Sequence, residues 1–263
     1  MINPFEKHKV EYLSPSSINK FRKNPAKWLV NIAGFRDSLY APAMTFGNVI
    51  ETGITHACMK PHTHIDESVS MAIEKLNIIH EEVHEAKAEY DFDKWYKFYE
   101  SLIAPALYKT IPIYKSFGPV KQPQAKVEYQ FDSLPIPVIG YVDMLYEDKV
   151  RDIKATMRQP VLRSDYLRQT SFYALCTGCE PYLDYVVANK SNQELITYHV
   201  GDAQSHVKDM ERIANKMMKL LSFSSDIHEV CQMSCLEPDI SNEDFMNQWG
   251  PKEIEGAKKL FEV

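Results

Sequence analysis

The sequence predicts an α/β protein, with helices flanking one mixed central β-sheet. Three observations predict it. Helix-like periodicity dominates up to about residue 107, β-prone segments crowd between 111 and 155, and a helix, two strands and a long helix follow up to residue 221. At 263 residues the chain reads as one large domain spanning 1–263. Within it, 1–110 is a mostly helical N-terminal part, 111–225 an α/β core and 226–263 a polar, helix-poor tail.

Composition narrows the class. Hydrophobic residues make up 44% and charged residues 25%, an ordinary globular balance. No run of 18 apolar residues occurs, so no membrane partner is expected. The first residues lack the apolar core of a secretory signal. Five scattered cysteines do not suggest a disulfide framework, and a reducing cytosol, bacterial or that of a phage-infected host, is the expected compartment. The net charge of −6 is unevenly spread. Residues 65–100 hold ten acidic and four basic side chains, and 226–263 hold nine and three. The rest hold 23 basic against 17 acidic, a balance compatible with local phosphate binding.

The elements follow in order. Ser14 reads as an N-cap and Pro15 as the first helical residue of a helix that stops at Asn24-Pro25. Pro25 opens a second helix to Ala33, with Gly34 beyond its end. Lys20, Arg22, Lys23 and Lys27 make this pair basic. Residues 44–59, 65–90 and 92–107 read as three further helices. Strands are expected at 111–117, 125–131, 138–146 and 149–155, punctuated by Gly118-Pro119 and Ser133-Leu-Pro135. A helix at 162–176, strands at 182–188 and 194–200, and a helix at 202–221 complete the core.

Residues 139–154 form the informative stretch. They read as a hairpin turning at Glu147-Asp-Lys149. Side chains two apart on a strand share a face, so Asp152 and Lys154 point together and Ile153 points away. Asp143 on the partner strand can reach the same place. Two carboxylates and an ammonium converging on a sheet edge suit a divalent cation beside a scissile phosphate. The tripeptide alone is cheap, because Glu85-Ala-Lys87 and Glu147-Asp-Lys149 share its form. Residues two apart on a helix do not share a face, and the second copy lies in the turn. The plainer alternative for Asp152 and Lys154 is a surface ion pair on an edge strand.

Further motifs surround this pair: Leu13-Ser-Pro-Ser-Ser-Ile-x-x-Phe21, Gly47-x-x-x-Glu51, Glu128 on an upstream strand, Gly140-x-x-Asp143, Asp152-Ile-Lys154 and Gln169-x-x-x-Tyr173. In this order, over residues 13–173, the chain resembles the PD-(D/E)XK nuclease superfamily. Within it, the chain resembles the RecB-like exonuclease branch, which includes phage recombination exonucleases and CRISPR-adaptation exonucleases. The resemblance implies a restriction-endonuclease-like core with extra N-terminal helices. It implies a Mg²⁺- or Mn²⁺-dependent deoxyribonuclease acting in DNA recombination, repair or phage DNA processing. Asp143 and Asp152 would be the principal metal ligands and the Ile153 carbonyl a third. Lys154 would orient or deprotonate the attacking water and offset transition-state charge. Glu51 stands where the branch more often has histidine. Gly47 and Glu51 share a helix face, the glycine allowing close approach to the sheet, whereas His56 lies about 140° round the helix from Glu51. Glu51 is therefore the expected helix-borne ligand and His56 the alternative. Gln169 and Tyr173 would lie beside the metal and the nucleic acid. Ser16 and Lys20, and Arg151, Arg158, Arg163 and Arg168, are candidate phosphate contacts. DNA is the expected partner, and ring-forming relatives make a homo-oligomer an expectation too.

Other signals compete. His80-Glu81-Glu82-Val83-His84 matches the zincin pattern, in which histidines four apart on a helix grip Zn²⁺. A zinc metalloprotease is thus an alternative, although the segment is more acidic than a helix buried under a cleft. A non-catalytic nucleic-acid-binding protein on the same fold is another. Cys176-x-x-Cys179 and Cys231-x-x-x-Cys235 invite an iron–sulfur reading. Asn24, however, stands before Pro25, where the cluster-bearing relatives commonly have cysteine.

Overall fold

The structure, a computed structural model, describes residues 3–37, 42–85, 92–238 and 249–262. It divides into two compact units, both discontinuous in sequence: 1–39, 127–140 and 202–263 form one, and 40–126 and 141–201 the other.

The first unit is helical: α1 (Pro4–Lys7), α2 (Pro15–Lys23), α3 (Pro25–Ile32), α8 (Ala203–Leu221), α9 (Ile227–Met233) and α10 (Pro251–Phe261). Its helices start where local chemistry says they should. The Ser14 hydroxyl accepts from the Ser17 N–H at 3.1 Å, and Ser17 Oγ accepts in return from the Ser14 N–H at 2.9 Å. This reciprocal cap satisfies two amides that a helix start leaves orphaned. Asn24 closes α2 through its backbone and caps α3 through its side chain, which accepts from the Lys27 N–H at 2.9 Å. Gly34 follows α3 at φ 95°, a left-handed position that glycine adopts without steric cost.

The tail differs from the helix-poor expectation, since α9 and α10 lie within it. Polar composition hides them, but Glu253 explains how α10 is held. Its carboxylate accepts from Asn31 Nδ2 at 2.7 Å and from the Gly250 N–H at 3.0 Å, and it pairs with Lys27 Nζ at 2.6 Å. One residue thus starts its own helix and ties it to α3. The remainder of the tail prediction, residues 239–248, lies outside the described residues.

The second unit contains α4 (Pro42–Met59), α5 (Ile65–Glu85), α6 (Phe92–Ser116), β3 (Lys149–Thr156), α7 (Ser164–Thr177), β4 (Glu180–Ala188) and β5 (Gln193–His199). Strands β1 (Gln122–Tyr129) and β2 (Val138–Leu145) carry the chain between the units. The five strands form one sheet in the order β1-β2-β3-β4-β5. β2 pairs antiparallel with β3, β3 parallel with β4, and β4 antiparallel with β5. The sheet is therefore mixed, as expected. The parallel β3–β4 pair needs a crossover, and α7 provides it. β3 is the middle strand, which corrects the expectation that Asp152 and Lys154 sit at a sheet edge.

Residues 111–117 were expected as a strand from Ile-Pro-Ile-Tyr. They instead belong to α6 and the turn that ends it. Ile103, Leu107, Ile111 and Tyr114 recur at helical spacing, and all are fully buried. Their shared face outweighs the missing N–H of Pro112 and the β-branched composition. This face packs with Phe46, Ile50 and Ile54 of α4, Leu76 of α5, and Met144, Ile153 and Val186 of the sheet.

α4 makes its closest approach at Gly53, not at Gly47. A Cβ at Gly53 would lie 2.5 Å from Leu107 Cδ1 and 3.2 Å from the Ser68 carbonyl oxygen, whereas one at Gly47 would meet nothing within 4 Å. Gly53→Ala is therefore expected to cost about 1–3 kcal/mol by overpacking. Gly47→Ala should gain roughly 0.5–1 kcal/mol from helix propensity. Urea unfolding of the two variants checks this, and equal effects at both positions would contradict it.

Candidate active site

Within the second unit, β2, β3, β1, α4 and α7 each bring a side chain to one polar cluster. β3 supplies its centre. Asp152 and Lys154 share the sheet face that α7 covers, and Asp152 is fully buried. Lys154 Nζ lies 2.6 Å from Asp152 Oδ2. Arg151 and Ile153 alternate to the opposite face, where Ile153 joins the apolar core.

β2 contributes Asp143. Ladder pairing between β2 and β3 runs through Leu145↔Val150 and Met144↔Arg151. Next along, the Asp143 carboxylate replaces a backbone acceptor, and its Oδ2 takes the Ile153 N–H at 2.7 Å. That bond fixes the carboxylate beside Asp152. α4 contributes Glu51, and β1 contributes Gln124, whose amide bridges the two. Gln124 Nε2 donates to Glu51 Oε1 in a short hydrogen bond and to Asp143 Oδ1 at 3.3 Å. From α7, Gln169 Nε2 donates to Asp152 Oδ1 at 3.1 Å and to Tyr173 Oη at 2.9 Å. The Tyr166 ring lies 5.2 Å from Lys154 Nζ, within cation–π range.

Electrostatics follow from setting two buried carboxylates and the half-buried Glu51 around one ammonium. Desolvation pushes Asp152 up to about 7; Lys154 opposes the shift and Asp143 adds to it. Desolvation likewise pushes Asp143 up to about 6, with Lys154 opposing and Glu51 adding to the shift. Glu51 is raised for the same first reason. Burial alone would lower Lys154, but Asp152 and Asp143 outweigh it and hold the ammonium protonated well above neutral pH. The anionic groups thus outnumber the cation that accompanies them.

Not every candidate joins this cluster. His56 Nδ1 bonds Ser68 Oγ of α5 at 3.0 Å, while Glu51 makes the contact with the cluster. Glu128 is exposed on β1; it is Gln124, four residues earlier, that reaches the carboxylates. Arg151 is no phosphate clamp. It is buried, donates to both oxygens of fully buried Asp184 at 2.8 Å, and stacks on Phe117 and Tyr182. Arg168 is also buried and presents no surface to a phosphate. Arg163 is exposed but pairs with Asp165 and lies over Tyr166, whereas Arg158 is exposed in the turn after β3. Ser16 and Lys20 lie in the first unit. Ser16 is exposed on α2, and Lys20 donates to Asn31 at 3.0 Å. Arg22 and Lys27 of the basic helix pair engage Asp209 and Glu253.

The competing motifs are placed as follows. The His80 ring packs against Tyr96 at 4.2 Å, and the His84 side chain lies outside the described residues. Cys176-x-x-Cys179 straddles the end of α7, where Gly178 takes φ 70°. Burial pushes the Cys176 and Cys231 thiols up to about 12. Among the described residues, no three carboxylate, imidazole or thiolate groups stand in a ready metal cage. In the acidic cluster, the Gln124 amide and the Lys154 ammonium meet the carboxylate oxygens. No helix among the described residues is long and apolar enough to cross a membrane.

Sequence reasoning missed Gln124 and Tyr166. Gln124 adopts φ 46°, a left-handed conformation inside β1, and no turn residue in Gln122-Pro-Gln-Ala announces it. Tyr166 follows Asp165 in the first turn of α7, and no motif marks it.

Two of three comparisons with known proteins were blank: no family model and no curated protein matches the chain. Solved structures do match. A crystal structure from Eubacterium rectale, of a protein provisionally named an exonuclease, is similar over 84% of this chain and 85% of its own. Its TM-score is 0.54 and its identity 12%. A structure of the protein SSO0001 matches 70% of this chain and 97% of its own at 13% identity, with a TM-score of 0.33. The first likeness bears on fold. Together with the mixed five-stranded sheet and its flanking helices, it is consistent with a restriction-endonuclease-like core.

The raised carboxylates make stability depend on pH. A carboxyl whose folded pKa exceeds its unfolded value binds more protons when folded, so stability falls as pH rises between the two values. Asp143 and Asp152 set that window from about 4 to about 7. In the presence of a chelator, the protein should therefore melt at a lower temperature at pH 7.5 than at pH 5. Asp152→Asn should flatten the slope. A melting temperature that rises through this window, or an unchanged slope in the variant, would contradict the charge balance described.

Proposed function

We propose that this protein is a divalent-cation-dependent deoxyribonuclease that hydrolyses phosphodiester bonds as an exonuclease, in DNA recombination, repair or phage DNA processing. The observation that carries the reading is the grouping of Asp143, Asp152 and Lys154. Two buried carboxylates on adjacent strands face one ammonium, which is held against Asp152 at 2.6 Å. Resemblance to RecB-like nucleases through six ordered motifs supports it, as does the likeness of fold to the Eubacterium rectale protein, whose name carries exonuclease activity.

The donor set fits a hard cation. Glu51, Asp143 and Asp152 would hold it with the Ile153 carbonyl, all through oxygen, which suits Mg²⁺ or Mn²⁺ better than softer metals. The surplus of buried carboxylate is itself a reason for a cation to bind there. Bound in that place, the ion would polarise the scissile phosphate and make a water more acidic. The protein's own groups do the rest. Lys154, kept protonated by its acidic neighbours, donates to the attacking water or to a phosphate oxygen and offsets the charge that grows on the pentavalent transition state. A water oxygen bonds to phosphorus, the phosphorus–oxygen bond to the leaving nucleoside breaks, and a proton ends on that oxygen. Gln169 fixes one oxygen of Asp152, so the carboxylate does not turn away when Lys154 shifts to substrate. Tyr173 anchors Gln169 in turn. Arg158, exposed after β3, and Arg163, exposed at the start of α7, are the remaining candidate phosphate contacts in this unit.

End-labelled single- and double-stranded DNA incubated with Mg²⁺ tests the reading. Wild-type protein is expected to release nucleotides, and EDTA to stop it. Asp152→Ala and Lys154→Ala are each expected to lower the rate by roughly 10²- to 10³-fold, the scale on which losing one preorganised electrostatic group acts, while far-UV circular dichroism stays unchanged. Undiminished hydrolysis in either variant would remove the assignment.

A further inference from the structure

From the place of Gln124 we infer that this residue is a positioning residue of the cation site: its carboxamide keeps Glu51 and Asp143 aimed at one point. The inference rests on the cation-dependent reading above. It starts from two independent features of one residue. Gln124 occupies a left-handed backbone conformation at φ 46° within a strand, a position that costs a non-glycine residue on the order of 1 kcal/mol and persists only where the surroundings impose it. Its amide nitrogen also hydrogen-bonds both Glu51 and Asp143, which come from a helix and a strand 92 positions apart in the chain (143 − 51).

The geometry explains why a carboxamide suits this place. Two carboxylates brought together repel, and each is raised by burial. An amide with two N–H groups donates one to each and draws them together without adding charge. A lysine here would neutralise the site, and a glutamate would add to its surplus. Asp143 has its other oxygen fixed by the Ile153 N–H at 2.7 Å, so it cannot follow Glu51 if the helix-borne carboxylate swings out. Gln124 supplies the restraint on Glu51 that nothing else in the cluster provides by a described hydrogen bond. Asp152 does not need it, being held by Gln169 and Lys154. Each carboxylate is thus fixed by its own partner, in the way that outer-shell hydrogen bonds orient metal ligands. Gln124 is exposed, so its side chain can give way to substrate without disturbing the core.

Direct Mn²⁺ binding tests this without relying on turnover. Free Mn²⁺ is counted by electron paramagnetic resonance during titration of the full chain. The variants are Gln124→Gly, which removes the amide while accepting the left-handed backbone, and Gln124→Asn, which keeps an amide and tolerates that backbone. Gln124→Gly is expected to weaken Mn²⁺ binding by about 10- to 100-fold with its melting temperature unchanged or raised, and Gln124→Asn to recover part of the loss. Equal or tighter binding by Gln124→Gly overturns the inference, and so does an asparagine variant no better than the glycine one. Wild-type protein that binds no Mn²⁺ removes the underlying cation-dependent reading itself, an outcome distinct from either of these.

Discussion

Buried negative charge on the middle strand is the constraint on which the rest of the second unit depends. Asp152 is fully buried, Asp143 nearly so, and Glu51 stands within one side chain of them, and among the described residues Lys154 is the cation paired with them. Burying a charge without a partner costs several kcal/mol, so a cluster of this kind is a liability to folding unless each oxygen is bonded. The surrounding elements meet most of that demand, and Asp152 Oδ2 is left with the Lys154 ion pair and no hydrogen bond. The Ile153 N–H is diverted from the strand ladder to Asp143, α7 places Gln169 against Asp152, and β1 bends out of regular geometry to place Gln124. The fold holds the acids together at a cost in stability, and a bound cation would offset that cost.

The opposite face of β3 shows what the sheet does with charge when no function is asked of it. There Arg151 is clamped by both oxygens of Asp184, Thr197 donates to the same carboxylate at 2.7 Å, and two aromatic rings cover the guanidinium. Two neighbours on one strand, Arg151 and Asp152, therefore have opposite fates. The first belongs to a closed, balanced pair, the second to an unbalanced group beside exposed Gln124. That contrast, more than the Asp-x-Lys spacing, separates the proposed site from a structural ion pair.

Much of this was legible in the sequence where local chemistry decides the outcome. Ser14, Asn24 and the prolines after them mark helix starts because capping is a matter of adjacent residues. The hairpin around Glu147 was readable from alternation, and Glu51, Asp143, Asp152, Gln169 and Tyr173 from their place in an ordered set of motifs. What stayed hidden depends on tertiary context. Ile111 to Phe117 has strand-like composition, but its buried face fits a helix packed on α4. Gly47 looked like the close-packing glycine, yet Leu107 lies against Gly53, which no short pattern distinguishes. Gln124 was invisible because a strained φ is imposed by neighbours. Arg151 and Arg168 looked like phosphate contacts because sequence shows charge and not burial.

The central claim is that the cluster of Glu51, Asp143, Asp152 and Lys154 is a cation site serving phosphodiester hydrolysis. Anomalous X-ray diffraction from crystals grown with Mn²⁺ tests it most directly. A peak is expected within bonding distance of the Asp143 and Asp152 carboxylates, with Lys154 beside it. A fully occupied peak at His80 and His84 instead, or no peak among the three carboxylates at saturating Mn²⁺, would contradict it.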